Sequence, residues 1–223
     1  MRRIAWSGVA LLLMLVSANP ALGQGWRAGI SGGAVYSNVS GDFVQSSEGK
    51  WGFEAGVFGA YNFSPNFGLM LEAMYVQQGA NNIVSSAADT FDLKMGYFQF
   101  PALLVGTFNL GTNFEGALYG GAAINIESSC KTTTPLGELD CSQVGSNVAA
   151  SEFSTFSIPL GGAIGYRMPD KSLALILDAR YDIGLTDMMK GIDMKSRTWQ
   201  FMLRLFWYKI SATGSGRHPG NVK

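Results

Sequence analysis

Six charged residues stand in the most regularly alternating segments of the chain, and they are its first candidates for chemistry. They are Glu54, Glu72, Asp178, Arg180, Asp182 and Arg204. A pair of carboxylates can act as general acid and base, so Glu72, Asp178 and Asp182 could form a hydrolytic site. Buried carboxylates can instead be paired with arginines, because a buried charge needs a partner of opposite sign. We prefer the ion-pair interpretation, because it accounts for the same residues without a reaction.

Other kinds of site find little support in the residue inventory. The single histidine, His218, lies in the C-terminal tail, so a hydrolase that uses histidine as general base is almost excluded. The sequence contains no phosphate-binding loop, dinucleotide fingerprint or EF-hand loop. The 16 Lys and Arg residues balance the 16 Asp and Glu residues, which argues against a nucleic-acid partner. We therefore expect no enzyme activity, no cofactor and no nucleic-acid partner.

The two cysteines, Cys130 and Cys141, lie close together in a segment rich in Ser, Thr and Gly. In an exported chain they meet an oxidising compartment, which makes a disulfide the default expectation. A metal site is the alternative, but it needs further ligands and the chain has one histidine. We predict a disulfide between these two cysteines and no metal site.

The start of the chain has the layout of a secretory signal peptide. Two arginines precede an apolar stretch centred on residues 9–16, and small residues follow where a peptidase would cut. The stretch is shorter than the about 20 residues of a spanning helix. We predict a cleaved signal peptide at 1–23, with a retained anchor as the alternative. One domain at 24–210 and a polar, disordered tail at 211–223 complete the chain.

Four segments alternate strictly between two kinds of side chain, as β-strands with two different faces do. They cover residues 51–62, 67–75, 173–183 and 199–207. Each is long enough to cross a bilayer as a tilted strand of about 9–11 residues. Every charged residue in them falls on one face, and the opposite face is aliphatic or aromatic.

Four weaker segments bring the predicted number of strands to eight. They cover residues 26–38, 93–108, 114–126 and 154–167, and all but the second are rich in glycine, which lets strands bend. Pro101 cannot donate to a sheet hydrogen bond, so we expect a β-bulge there. On the face that matches the charged one, these segments carry Arg27, Glu115 and Arg167.

The connections between these strands are predicted to alternate between short and long. The short ones fall near residues 64–66, 109–113 and 168–171. The long ones fall near residues 40–50, 80–91, 127–153 and 187–196. A soluble sandwich gives no reason for this order, whereas a transmembrane barrel has short periplasmic turns and long extracellular loops. The fold class that we predict is therefore an all-β, eight-stranded, antiparallel up-and-down transmembrane barrel.

Aromatic residues cluster at both ends of the predicted strands. Near the short turns lie Trp26, Tyr61, Phe63, Phe67, Phe108, Phe114, Tyr166 and Trp207. Near the long loops lie Tyr36, Trp51, Tyr75, Tyr97, Phe153, Tyr181 and Trp199. Aromatic residues favour strands in general, which explains their number but not their grouping at the ends. We interpret the two groups as aromatic girdles at the two membrane interfaces.

The charged face can point inward or outward. A soluble lipocalin-like barrel has charges outside, and a membrane barrel has them in the lumen. Only 14% of residues are charged, and 29 of 223 are glycine, against typical shares of about 25% and about 7%. Low charge, the girdles and the loop order favour the membrane barrel. We therefore predict that the six charged residues named first form a lumen charge network that braces a filled interior, with ion conduction as the alternative.

Short motifs add a family resemblance. The glycine-rich strand at 29–33, the run at 71–79 with the form E-x-x-Y-x-x-x-G, and F-P-x-L-L within 97–104 resemble the outer-membrane β-barrel domain family of small porin-like and PorT-like proteins. The later segments 179–181 and 184–185 are similar to the pattern of that family too. The resemblance implies an outer-membrane barrel of Gram-negative bacteria, surrounded by outer-membrane lipid, with no shared catalytic residues.

The end of the chain departs from that family pattern. Many such barrels end at an aromatic residue that the outer-membrane assembly machinery reads. Here the last strand is predicted to end with the aromatic run at 206–208 followed by Lys209 and Ile210, and thirteen more residues, 211–223, come after it. This departure puts a terminal assembly signal in doubt and leaves an internal one open.

Two functions stay open at this stage. The first is a non-enzymatic structural barrel anchored in the outer membrane. The second is a surface binding, adhesion or secretion-associated module, in which the disulfide-pinned loop 127–153 contacts an extracellular or secretion-component partner.

Overall fold

The structure is a computed structural model that describes residues 26–42, 44–85, 90–134, 137–141, 154–168, 173–188 and 193–207. The predicted signal peptide and the predicted C-terminal tail lie outside the described residues. Among the residues described, no helix is long and apolar enough to cross a membrane.

Strands make up nearly all of the described chain. They are β1 (Trp26–Ser40), β2 (Val44–Asn62), β3 (Phe67–Ser85), β4 (Thr90–Asn109), β5 (Phe114–Thr134), β6 (Gly137–Asp140), β7 (Ser154–Arg167), β8 (Leu173–Gly184) and β9 (Lys195–Trp207). The sheet runs in the order β4-β3-β2-β1-β9-β8-β7-β5, and pairing of β4 with β5 closes it. Every pair is antiparallel, and the short β6 pairs with β5 outside the closed ring. The predicted eight-stranded antiparallel barrel is confirmed.

The two ends of the barrel differ in height. The short-turn end carries the connections β2–β3, β4–β5 and β7–β8, whereas β2 to β5 project beyond the ring at the other end, which we call the long-hairpin end. Segments 40–50 and 80–91, which we expected to be loops, are largely strand: Glu48 pairs with Asn81, and Ala80 pairs with Leu93. The first half of segment 127–153 likewise continues β5 to Thr134 and returns as β6. Their polar residues suit strands that extend beyond an apolar band, where both faces can be polar.

The bulge that we expected at Pro101 is absent from that position. Pro101 is in continuous register opposite Ala123 of β5, and the register to β3 has no pair at Pro101. The missing N–H is therefore accommodated without an extra residue. The β4–β5 register shifts instead between Gly96 and Tyr97.

Side chains alternate between the lumen and the outer surface, as the burial pattern of β9 shows most clearly. Glycines on the inner face of β1 let the strands pack closely. A Cβ added at Gly33 would overlap the backbone of Phe201 on β9, and one at Gly29 would overlap that of Leu205. The glycine content of β1 is therefore explained by close approach of neighbouring backbones.

The lumen is filled with apolar side chains at both ends. At the long-hairpin end, the upper cap consists of Val39, Ala80, Ile83, Leu93, Met95, Tyr97, Cys130, Cys141, Met188 and Met194. At the short-turn end, the lower cluster consists of Phe58, Met70, Leu103, Tyr119, Ala174 and Phe206. The polar and charged residues of the lumen lie between these two layers.

Candidate functional site

The outer surface of the barrel is apolar over a broad band. Its exposed large side chains include Ile30, Val57, Leu69, Leu71, Phe100, Leu104, Leu118, Ile124, Ile126, Phe156, Leu160, Ile164, Leu177, Phe201 and Leu203. A soluble protein rarely exposes a contiguous apolar surface of this extent. The arrangement, with apolar residues outside and charges inside, is that of a barrel surrounded by lipid.

The aromatic residues expected to form girdles stand on this outer surface, with the exception of Tyr97. Toward the short-turn end, Tyr61, Phe63, Phe67, Phe108, Phe114, Tyr166 and Trp207 are exposed. Toward the other end, Tyr36, Trp51 and Trp199 are exposed, and Tyr75 and Tyr181 are half-buried against aromatic neighbours. The expectation for Tyr97 was wrong: this side chain shares the inward face of β4 with Met95 and Gln99 and is buried in the upper cap. Phe153 lies outside the described residues. The side chain of Trp26 lies outside the described set. Trp199 and Trp207 are eight residues apart on β9, which is about 26 Å along a strand.

Glu72 is the centre of the lumen charge network. Its carboxylate accepts two hydrogen bonds from Arg180, both of 2.9 Å, in a fork-to-fork arrangement. Nη1 of Arg204 donates a third, of 2.5 Å. The Glu72 and Arg180 side chains have 0% exposure, and that of Arg204 has 2%. Such a charge-assisted, bidentate pair is among the strongest polar contacts in proteins.

Arg204 links this pair to a second carboxylate. Its Nε lies 3.2 Å from Oδ2 of Asp178, and Oδ1 of Asp178 accepts a 2.5 Å hydrogen bond from the Tyr119 hydroxyl. The guanidinium groups of Arg180 and Arg204 also lie over the Tyr119 ring, 5.2 and 5.9 Å from its centroid. Three network residues, Asp178, Arg180 and Arg204, therefore contact one tyrosine that the sequence did not single out, although its inward position follows from strand alternation.

The other two network residues, Glu54 and Asp182, form no hydrogen bond with this group. Glu54 is buried, and its two carboxylate oxygens have no hydrogen-bond partner among the described residues. Asp182 belongs to a polar layer closer to the long-hairpin end, where Gln99 donates to it at 2.5 Å and Gln200 donates to Gln99 at 3.2 Å. The sequence missed the two glutamines, because uncharged residues on the inner face gave no signal of their own.

A second cluster with the same residue types lies at the rim of the short-turn end. Glu115 pairs with Arg27 at 3.5 Å and with Arg167 through two nitrogen atoms of its guanidinium. The Glu115 side chain is 14% exposed, and those of Arg27 and Arg167 are 29% and 45% exposed. We call these three residues the rim triad.

The disulfide between Cys130 and Cys141 is present, as predicted. Both cysteines are buried in the upper cap, so the disulfide faces the lumen and ties the end of β6 to β5. Within the part of the chain that the structure describes, no group of three or more His, Cys, Asp or Glu side chains could hold a metal ion.

A third charged group lies in the β8–β9 connection. The Asp193 carboxylate accepts a 2.8 Å hydrogen bond from Lys195 and a 3.4 Å one from the Asp42 backbone N–H. These hydrogen bonds, that of Lys195 foremost, hold the pKa of Asp193 below its usual range.

A comparison of the sequence with known protein families agrees with this architecture. The profile of the outer membrane protein beta-barrel domain matches residues 17–190, more than three quarters of the chain. The chain belongs to this family. Its location is therefore the outer membrane, and outer-membrane lipid surrounds the apolar band. A comparison with curated proteins finds no match.

Solved structures of other outer-membrane barrels are similar to this one. The attachment invasion locus protein Ail of Yersinia pestis is 17% identical, with a TM-score of 0.45 over 82% of this chain and 100% of that chain. Neisserial surface protein A is 13% identical, with a TM-score of 0.47 over 82% and 97%. The N-terminal barrel domain of Pseudomonas aeruginosa OprF is 11% identical, with a TM-score of 0.43 over 82% and 98%.

Proposed function

We propose that this protein is a non-enzymatic structural barrel of the outer membrane whose lumen is closed to solutes. The observation that carries the proposal is the bridge from Arg180 through Glu72 to Arg204, which spans the lumen between β8, β3 and β9 with almost no solvent exposure. Eight strands enclose an interior just wide enough for side chains to fill. The upper cap and the lower cluster cover the bridge on both sides.

The polar layer above the bridge supports the same conclusion. A cavity of about 10 Å³ lies there, lined in part by Gln78, Asn125, Ser157 and Asp182. That volume is about the size of one water molecule. Conduction of water or ions would instead require a continuous path along the whole lumen, and a cavity for a single water molecule does not provide one.

The geometry also argues against a carboxylate-pair enzyme. The oxygens of Glu72 accept three hydrogen bonds from arginines, and both oxygens of Asp178 contact Arg204 or Tyr119. A general base needs a lone pair that a substrate can reach. These carboxylates face other protein side chains in a filled lumen, and we assign them a bracing role.

Conductance measurements test the closed lumen. We expect the refolded protein to insert into a planar lipid bilayer without conductance steps. The double variant R180A/R204A removes both cationic groups of the bridge. It serves as the positive control for conductance through an inserted barrel, because its lumen is expected to conduct. Stable conductance steps in the wild-type protein would contradict the proposal.

In this proposal the short-turn end faces the periplasm and the long-hairpin end faces the outside, as in barrels with longer external loops.

β9 ends at the exposed Trp207, and we propose that the assembly machinery reads this internal aromatic end rather than the chain terminus. Deleting residues 211–223 is then expected to leave assembly unchanged, as heat-modifiable gel mobility of membrane fractions would report.

A second candidate is a surface binding module, and β6 is the observation that favours it. All four residues of β6 are exposed, and within the described residues β6 pairs only with β5. A short strand with an unpaired edge can add a strand from a partner. The contact would then be made by the β5–β6 hairpin within loop 127–153, with an extracellular or secretion-component protein as partner.

Removal of the hairpin tests this candidate. The variant C130S with residues 135–151 deleted keeps the barrel strands, and full-length C130S/C141S is the matched control. If the hairpin binds a partner, the deletion abolishes binding to host cells or secretion components while the control retains it. Equal binding by both variants would rule out a contact through the hairpin.

A further inference from the structure

The polar layer between the bridge and the upper cap contains a carboxylate without a compensating charge. Asp182 is 2% exposed, and its polar neighbours Gln99 and Ser157 are neutral. The ion pairs of the two lumen arginines go to Glu72 and Asp178, so Asp182 has no ion pair among the described residues. Burial of a charge without a partner is costly, and buried charges are normally paired or bound to a metal ion.

Asp182 and Asn125 each carry an oxygen atom without a hydrogen-bond donor among the described residues. Asn125 is 5% exposed, and its amide nitrogen donates to the Ser157 hydroxyl at 3.0 Å and to the Thr155 carbonyl at 3.4 Å. These hydrogen bonds orient the amide so that its oxygen is the atom without a donor. Gln99 donates to Oδ2 of Asp182 at 2.5 Å and leaves Oδ1 without one. Buried acceptors are nearly always satisfied, if not by protein then by water or an ion.

Both of these side chains line the cavity of about 10 Å³ described above. Its walls also include Ser157, Tyr97 and Gln78, whose side chains carry further oxygen atoms. Toward the long-hairpin end the cavity borders Thr186, which is exposed in the β8–β9 connection. A space of this volume holds one species of the size of a water molecule. Carboxylate, amide and hydroxyl oxygens are the ligands that hard cations prefer.

We propose that this cavity binds one Na⁺ ion, with Oδ1 of Asp182 and Oδ1 of Asn125 as its protein ligands. The ion supplies the positive charge that Asp182 lacks and satisfies both acceptors at once. A water molecule would donate to the same two oxygens but would leave the charge uncompensated. K⁺ is about as large as a water molecule and Na⁺ is smaller, so the cavity favours Na⁺.

The donor set also explains why the ion is monovalent. One carboxylate balances one positive charge, whereas Ca²⁺ sites gather several carboxylates. The described residues contain no group of three or more His, Cys, Asp or Glu side chains that could hold a metal ion, and the proposed site uses one carboxylate with neutral oxygens instead. The site lies above the bridge from Arg180 to Arg204, so binding there requires no passage through the lumen.

Binding is measured with the refolded full chain in a neutral detergent, by broadening of the sodium NMR resonance as NaCl replaces N-methylglucamine chloride at constant ionic strength. We expect saturable broadening in the wild type that KCl displaces only weakly. D182N keeps the shape of the side chain and removes its charge, and it is expected to lose the saturable broadening. E54Q is the matched control, because Glu54 is also a buried carboxylate without a hydrogen bond among the described residues but does not line the cavity. It is expected to bind Na⁺ as the wild type does.

Three results would overturn the proposal. They are equal saturable broadening in D182N and wild type, an equal loss in D182N and E54Q, and no saturable broadening in the wild type, which would leave water as the occupant. If D182N does not fold, as heat-modifiable mobility would show, N125D decides. A second carboxylate at the cavity is expected to tighten Na⁺ binding, and unchanged binding in N125D would count against the site. The assay in detergent is independent of conductance, so its failure and the failure of the closed-lumen proposal can be told apart.

Discussion

The barrel contains two clusters in which one glutamate lies between two arginines, and they differ mainly in burial. In the lumen, Glu72 binds Arg180 and Arg204 with almost no exposure of any partner. At the rim, Glu115 binds Arg27 and Arg167, and both arginines keep a substantial part of their surface in water. Water screens the rim triad, whereas the lumen offers no substitute for a missing partner. The same three residue types are therefore expected to matter very differently to stability.

The largest effect is expected when one lumen partner is removed. R180A leaves Glu72 buried with Arg204 alone, and loss of a partner from a buried pair costs about 3–5 kcal/mol. The free energy of unfolding, measured by urea titration of tryptophan fluorescence in lipid vesicles, would report it. R167A removes an arginine from the rim triad and is the matched control. Equal losses in the two variants would refute the contrast between the clusters.

Removal of both members of the lumen pair is expected to cost less than removal of one. E72L/R180M removes both charges of this pair together, and Arg204 keeps its contact with Asp178. Apolar replacements of whole buried ion pairs are often neutral or better. We expect a loss below about 1 kcal/mol and a large coupling energy in the double-mutant cycle. Additive single-variant losses would mean that the two residues act independently.

A small effect is expected at the rim. E115Q removes the negative charge between Arg27 and Arg167, and partly exposed ion pairs contribute at most about 1 kcal/mol. Salt screens exposed charges, so the difference between E115Q and wild type is expected to vanish in about 1 M NaCl. A difference that persists at high salt would show that the rim triad behaves like the buried cluster. The measurement is the same urea titration at two salt concentrations.

The smallest effect is expected from Asp193, the most exposed carboxylate of the three charged groups. Its pKa is lower in the folded protein than in the unfolded chain, so its contribution is present above the ordinary aspartate pKa of about 3.9. The contribution is lost as the pH falls through the lower, folded-state pKa. Stability of D193N and wild type, compared between pH 7 and pH 3, should converge in that acidic range. If the difference in stability between D193N and wild type is the same at every pH, titration of Asp193 is not its cause.

Strand alternation predicted the barrel and the two faces of its wall well. Because the period of two is a local property, positions such as Glu72, Asp178 and Arg204 could be assigned to one face without any contact information. Connection lengths were predicted less well. Segments such as 80–91 are polar on both faces, and polarity alone does not distinguish a loop from a strand that projects beyond the membrane.

The sequence by itself determined the number of membrane strands, which residues share a face of the wall, and the cysteine pair, because alternation and spacing are local properties of the chain. Only the closed sheet decided which inward residues meet. Arg180 and Glu72 are 108 positions apart, and they become partners because closure of the ring aims β3 and β8 across the same lumen. The same closure brought Tyr119 between the charges and left Glu54 outside the hydrogen-bonded group. These contacts depend on the register between strands and on the curvature of the barrel, and neither can be read from one strand alone.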